Sequence, residues 1–136
     1  MFKIVSFTPK TKYTPEAARE ALAHLGQFGI AVLNRMKDYP PPAKPHFKRT
    51  GTLGRNWTMH GPMRVGNLAV VRIANPVFYA PRVQGYSHHK SPKELRQAEP
   101  WKRYGWPSID EVAVELWESR YRKRISRALQ RGIIKP

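Results

Sequence analysis

The sequence predicts an α+β fold: an antiparallel sheet packed against an N-terminal amphipathic helix, then a long loop or arm and a C-terminal helix. Three observations predict it. Apolar residues recur at helical spacing over residues 14–38, β-favouring segments separated by turn residues fill 49–83, and a charge-polarised helical segment occupies 108–131. A chain of 136 residues fits one domain with a modest core, and its 40% apolar content is globular despite thirteen prolines. Residues 1–13 read as an N-terminal extension, 39–48 as a Pro-rich connector and 84–107 as the loop or arm.

Thr14, Pro15 and Glu16 supply an N-cap, a first-turn proline and an acid at the positive end of the first helix. Ala18, Leu22, Leu25, Val32 and Met36 then form its apolar stripe, with a gap around Phe28 and Gly29. Gly26 and Gly29 each cost about 1 kcal/mol relative to Ala. They mark either a close approach of another backbone or a tolerated weakness. Tyr39-Pro40-Pro41-Pro42 ends the helix and continues as a stiff spacer.

Arg55 to Met59, Met63 to Val65 and Leu68 to Ile73 read as short strands, with turns at Gly61-Pro62 and Gly66-Asn67. Ala69, Val71 and Ile73 alternate onto the face that covers the helix, and Asn75-Pro76 stops the strand. Residues 84–107 show no convincing period. Ser108 and Glu111 match a capping box in which each side chain satisfies an N-terminal amide, and Gly132 supplies the stop of the last helix.

Twenty-five Lys and Arg against nine Asp and Glu give a formal charge of +16, which repels itself unless a polyanion or an acidic protein surface lies nearby. The absence of cysteine excludes disulfides and thiolate metal sites. Met1 to Lys12 lacks a secretory pattern and the longest aliphatic run, Leu68 to Val71, is too short to cross a bilayer, so a soluble chain without a membrane partner is expected. None of His24, His46, His60, His88 and His89 is expected to pair with another His or a carboxylate at the helical spacing that a zinc site would use. Gly51-Thr52-Leu53-Gly54 lacks the lysine of a nucleotide loop, and no nucleophile elbow or dinucleotide fingerprint is present. The chain is therefore expected not to be an enzyme and to carry no metal or other cofactor.

Arg120, Arg122, Lys123, Arg124, Arg127 and Arg131 crowd the second half of the last helix and must wrap more than one face, which marks a contact with a polyanion or an acidic partner. Trp101, Tyr104 and Trp106, interleaved with Lys102 and Arg103, suit base stacking, an aromatic interface anchor or closure of the core. With His88, His89 and Lys90 they form the candidate subunit or neighbour contact.

Arg49-Thr50-Gly51-Thr52-Leu53-Gly54-Arg55-Asn56-Trp57 resembles the "T-G-x-L-x-x-S/N-W/I" lead-in to the first strand of the tail-completion, or neck, proteins of long-tailed phages. About twenty residues later, Ala74-Asn75-Pro76-Val77-Phe78-Tyr79-Ala80-Pro81-Arg82-Val83-Gln84-Gly85 resembles their "N-x-x-x-Y-A-x-x-V-E-x-G" segment. Gln84 departs from the acid usual there, and the loop from Tyr86 to Trp106 is longer and more basic than the family's link. The resemblance implies a non-enzymatic subunit of the head-to-tail connector, forming a ring of six or twelve copies that joins the tail to the DNA-filled head. It implies other neck, connector and tail-terminator proteins as partners, with DNA in the channel. The location would be the head-tail junction of the virion, reached through the host cytoplasm. It also implies that Thr50 and Gly51 set the turn before the strand, that Tyr79 packs its ring with a polar tip outward, and that the arm orders on assembly.

A different class of reading is a nucleic-acid-binding protein such as a ribosomal protein. Salt separates the two, because such a binder loses affinity steeply with salt whereas subunit contacts survive moderate salt.

Overall fold

Thr14 begins the first helix as expected: its hydroxyl accepts the Ala17 amide at 3.2 Å, and Pro15 occupies the first turn. This helix, α1 (Pro15–Lys37), follows a strand, β1 (Phe2–Phe7), in the computed structural model, which describes residues 2–7, 13–38, 52–65, 68–88 and 90–133. The Pro-rich connector, Thr50, Gly51, the Gly66-Asn67 turn, His46 and His89 lie outside the described residues. After α2 (Thr52–Arg55) come β2 (Thr58–Val65), β3 (Leu68–Ala74) and α3 (Ala80–Gln84). A 3-10 turn (Lys93–Leu95), α4 (Glu99–Arg103), α5 (Ile109–Leu116), a π turn (Trp117–Tyr121) and α6 (Arg122–Gln130) complete the order.

The architecture is α+β, with α1 packed on an antiparallel three-stranded sheet of order β1-β3-β2. Residues 2–7, expected to be an extension, pair with β3 from Phe2↔Ile73 to Phe7↔Ala69. Arg55 to Trp57, expected to be strand, instead close the helical turn α2 and lead into β2. Gly61-Pro62 does not end a strand: it lies within β2, where the pairing with β3 shifts between His60 and Met63.

Ala69, Val71 and Ile73 are buried together, as their alternation predicts. The buried stripe of α1 matches the expected one at Leu25, Val32 and Met36 and is shifted by one residue at its first two positions. It runs Ala17, Ala21, Leu25, Phe28, Val32 and Met36, while Ala18 and Leu22 are only partly buried. Phe28, read as a gap, is a core side chain whose ring lies 5.4 Å from Trp117 and 5.5 Å from Tyr121. Burying a phenylalanine contributes about 1.5–3 kcal/mol, so the stripe is phased on Phe28.

The closing helix packs on α1 through Ile109, Val112, Leu116, Tyr121, Ile125 and Ala128. Successive steps are three, four, five, four and three residues. The step of five, from Leu116 to Tyr121, spans the π turn, whose wider turn absorbs one residue and keeps both halves facing α1. Beyond it, Gly132 is a packing residue as well as a stop. A Cβ there would collide with Ala17 Cβ and Thr14 Oγ1, and the Gly132 carbonyl accepts the Thr14 amide at 2.8 Å.

The two odd glycines of α1 also have partners. An added Cβ at Gly29 would lie 2.7 Å from both Met59 Sδ and Val71 Cγ2, whereas one at Gly26 would lie 3.1 Å from Pro62 Cδ. The close neighbours are thus sheet side chains and not another backbone. Gly29→Ala is expected to destabilise the protein by about 1–3 kcal/mol through overpacking, despite a helix-propensity gain of about 1 kcal/mol. Gly26→Ala should be nearly neutral. Urea unfolding of both variants checks this, and a Gly29→Ala protein more stable than the parent would contradict it.

Candidate functional site

The two segments that carry the family resemblance meet. Asn75 starts the contact: its Nδ2 donates to the Leu53 carbonyl at 2.8 Å, while its Oδ1 accepts the Val77 amide at 3.1 Å and turns the chain out of β3. Leu53, Ala80 and Val83 then form a small second core, against which Val77, Tyr79, Trp101 and Trp106 pack. The Asn56 amide donates to the Leu53 carbonyl at 3.3 Å and closes the α2 turn.

Beside this core, Gln84 is fully buried. Its Oε1 accepts the Trp57 indole N–H at 2.9 Å and its Nε2 donates to the Met36 carbonyl at 2.8 Å. One amide therefore joins the end of α1, the start of β2 and the end of α3, and satisfies a carbonyl that the last turn of α1 leaves open. Gly85 follows because nothing larger fits: a Cβ there would overlap the carbonyl oxygens of Pro81 and Leu95.

Behind Gly85 the chain folds back instead of projecting as an arm. The Tyr86 amide donates to the Leu95 carbonyl at 2.8 Å, and the Gln97 amide to that of Tyr86 at 2.9 Å. Gln97 Nε2 donates to the carbonyls of Val83 and Trp106, both at 2.8 Å. These bonds hold the described residues between Tyr86 and Trp106 against the body within the single chain. The candidate contact set divides accordingly. His88, Lys90, Arg103 and Tyr104 are exposed, whereas Trp101 and Trp106 are partly buried, with ring centroids 5.6 Å apart edge to face. Core closure is the role of the two tryptophans among the three expected for them.

Asp110 holds the other end of this loop. Its carboxylate accepts the Ser87 amide at 2.8 Å, the Ser87 hydroxyl at 2.9 Å, and the Ser108 hydroxyl and Glu111 amide each at 3.0 Å. The expected capping box is therefore replaced: Ser108 donates to Asp110 instead of accepting a helix amide, because Ser87 brings the carboxylate into a tertiary contact. Burial acts to raise the Asp110 pKa, but the Ser87, Ser108 and Glu111 hydrogen bonds outweigh it and hold the pKa below the ordinary aspartate value. The neighbouring Tyr86 phenol is pushed up by burial and then by the Asp110 charge.

The six cations of the last helix are not equivalent. Arg120, Lys123, Arg124, Arg127 and Arg131 follow at steps of three, one, three and four, which puts them within roughly 100° of arc on one face; Arg122 lies off it and pairs with Glu118 at 2.7 Å. Arg131 is held by Glu20. Arg120 and Arg124 lie 6.0 and 5.4 Å from the centroid of the Tyr121 ring. Five of the six cations thus form a stripe on one face and Arg122 lies on another, so the charge occupies more than one face, as expected, but unevenly.

Sequence reasoning missed Gln84, Gln97, Ser87 and Asp110 as the residues that build this region. Gln84 had one signal, its place between Val83 and Gly85 in the motif. The expectation that no histidine has a carboxylate at helical spacing also fails, since His24 Nε2 lies 3.8 Å from Glu20 Oε1 one turn away. Among the described residues no three His, Cys, Asp or Glu side chains gather as metal ligands would. No protein-family model, curated protein or solved structure matches the chain.

Trp57→Phe keeps an aromatic ring but leaves Gln84 Oε1 buried without its donor, at an expected cost of about 1–3 kcal/mol; an unchanged midpoint in denaturant unfolding would contradict the bridge. Because the Asp110 pKa is depressed on folding, its contribution is present above the unfolded value of about 3.9 and is lost as pH falls through the folded value. Below about pH 4, the parent should therefore lose stability more steeply than Asp110→Asn, as read by unfolding at a series of pH values.

Proposed function

We propose that this chain is a structural, non-enzymatic subunit of the head-to-tail connector of a long-tailed phage, a neck or tail-completion protein whose copies pack as a ring between tail and DNA-filled head. The observation that carries the reading is the joining of the two family-like segments through Leu53–Asn75 and Trp57–Gln84. Residues more than twenty positions apart that resemble one family's motifs form one built site, which coincidence of short patterns does not require. The helix-on-sheet body with a closing helix agrees with what that resemblance implies.

The lobe that the motifs build also offers a contact surface. Phe78, in the turn after β3, is 92% exposed, and its ring leans only on Tyr79 among the described residues, with centroids 5.3 Å apart. On the same lobe Arg82, Lys102, Arg103 and Tyr104 are exposed. Aromatic and arginine side chains are the types that dominate protein–protein contacts. Neighbouring copies, or other neck, connector and tail-terminator proteins, are the partners such a lobe would meet.

The alternative of a nucleic-acid-binding protein such as a ribosomal protein is favoured by one observation, the cationic stripe on α6. It leaves the motif site and the exposed aromatic unexplained. Phe78→Ser should leave the unfolding midpoint within about 0.5 kcal/mol of the parent, as surface substitutions do, yet abolish incorporation into particles. Antibody labelling of the parent particles in the electron microscope should mark the head-tail junction. Label found elsewhere, or normal incorporation of the variant, would contradict the reading.

A further inference from the structure

The stripe on α6 has a composition that narrows its partner. Arg120, Lys123, Arg124 and Arg127 are all exposed, and the exposed residues beside them are Ser119, Ser126 and Gln130. A docking site for a protein needs an apolar or aromatic centre, and charged groups are depleted there. This ridge has none: Tyr121 is buried against Phe28 beneath Arg120 and Arg124, and Trp117, one turn earlier, is partly buried with its ring edge to face on Phe28. For the same reason the ridge has no exposed ring on which single-stranded bases stack.

A second copy of the chain does not neutralise it either. Of the nine acids, Glu20, Glu115 and Glu118 are already paired with Arg131, Arg35 and Arg122, and the Asp110 carboxylate is filled by hydrogen bonds from Ser87, Ser108 and Glu111. The other five, Glu16, Asp38, Glu94, Glu99 and Glu111, are dispersed over the two ends of α1, the loop after α3, α4 and the start of α5, and form no acidic patch that matches the ridge. Copies carrying +16 each repel one another until an outside anion intervenes.

We propose that the ridge Arg120, Lys123, Arg124 and Arg127 is a sequence-independent contact for the phosphate backbone of duplex DNA. Three of its four cations are arginines, whose forked donors match phosphate oxygens. Stacking on Tyr121 orients two of these guanidiniums before any ligand arrives. The charge geometry stands without the connector reading, whereas the choice of DNA over RNA rests on it.

The test is binding of a random-sequence DNA duplex to the purified full chain over a salt series. Four phosphate contacts give a log–log salt slope of roughly −3 to −4, a loss of about 10²-fold between 50 and 200 mM salt. The variant Arg120→Gln, Lys123→Gln, Arg124→Gln, Arg127→Gln should lose most of that slope and at least tenfold in affinity. A control with equal charge removed from other exposed sites, Arg19→Gln, Lys37→Gln, Arg55→Gln, Lys93→Gln, should keep more than half of the slope. Circular dichroism confirms that both variants are folded. Equal losses in the two variants would overturn the ridge as the site, and binding to polyglutamate but not to duplex DNA would overturn its phosphate partner. Preference for duplex RNA would overturn the choice of DNA. Ring formation is measured separately, so failure of the connector reading leaves a different record.

Discussion

A buried side-chain amide has to meet a donor and an acceptor at once, and Gln84 is the place where this chain accepts that constraint. Leaving either end unmet costs about 1–3 kcal/mol, a large share of the 5–15 kcal/mol by which domains are stable. Trp57 supplies the donor and the end of α1 the acceptor, so three segments remote in sequence are fixed against each other. Gly85 then turns the chain where no side chain fits, and Gln97 and Asp110 tie the following loop back to the body. The motif lobe and the helix-on-sheet body are one object because of that amide.

Local signals were legible in the sequence where a residue's role depends on its immediate neighbours. Thr14-Pro15 capped α1, and the two-residue spacing of Ala69, Val71 and Ile73 gave the face of β3 that joins the main core. Non-local pairing was not legible. Strand β1 finds its partner some sixty to seventy residues later, and nothing within Phe2 to Phe7 announces that. In α1 the stripe was legible at Leu25, Val32 and Met36, but its start was placed one residue late because Ala17 and Ala21 carry little apolar signal of their own while Leu22 does. The π turn was invisible to a search at 3.6 residues per turn, which has no place for the five-residue step from Leu116 to Tyr121.

The candidate site shows the same division. The two motif segments were visible as patterns, but their contact was not, because Asn75 and Gln84 act on carbonyls and an indole supplied from elsewhere. The capping-box pattern at Ser108 was real and still failed, since the Asp110 carboxylate takes the Glu111 amide that Ser108 would have accepted and takes the Ser108 hydroxyl as well. Charge counts gave the basic character of the last helix, and the side-chain pairs then divided it. Glu118 and Glu20 occupy Arg122 and Arg131, which leaves a narrower ridge than six cations suggested.

These features fit a subunit whose body is complete before assembly and whose surfaces are for neighbours: an aromatic tip on one lobe and a cationic ridge on another. Self-repulsion at +16 holds lone copies apart. In the proposed ring, packing around an axis would depend on what the copies meet, which makes mass the direct readout of the claim. Native mass spectrometry of the purified chain, alone and after mixing with isolated tails or connector-bearing heads, should find a monomer that becomes a closed ring of six or twelve copies on contact. A chain that stays monomeric beside both would contradict it.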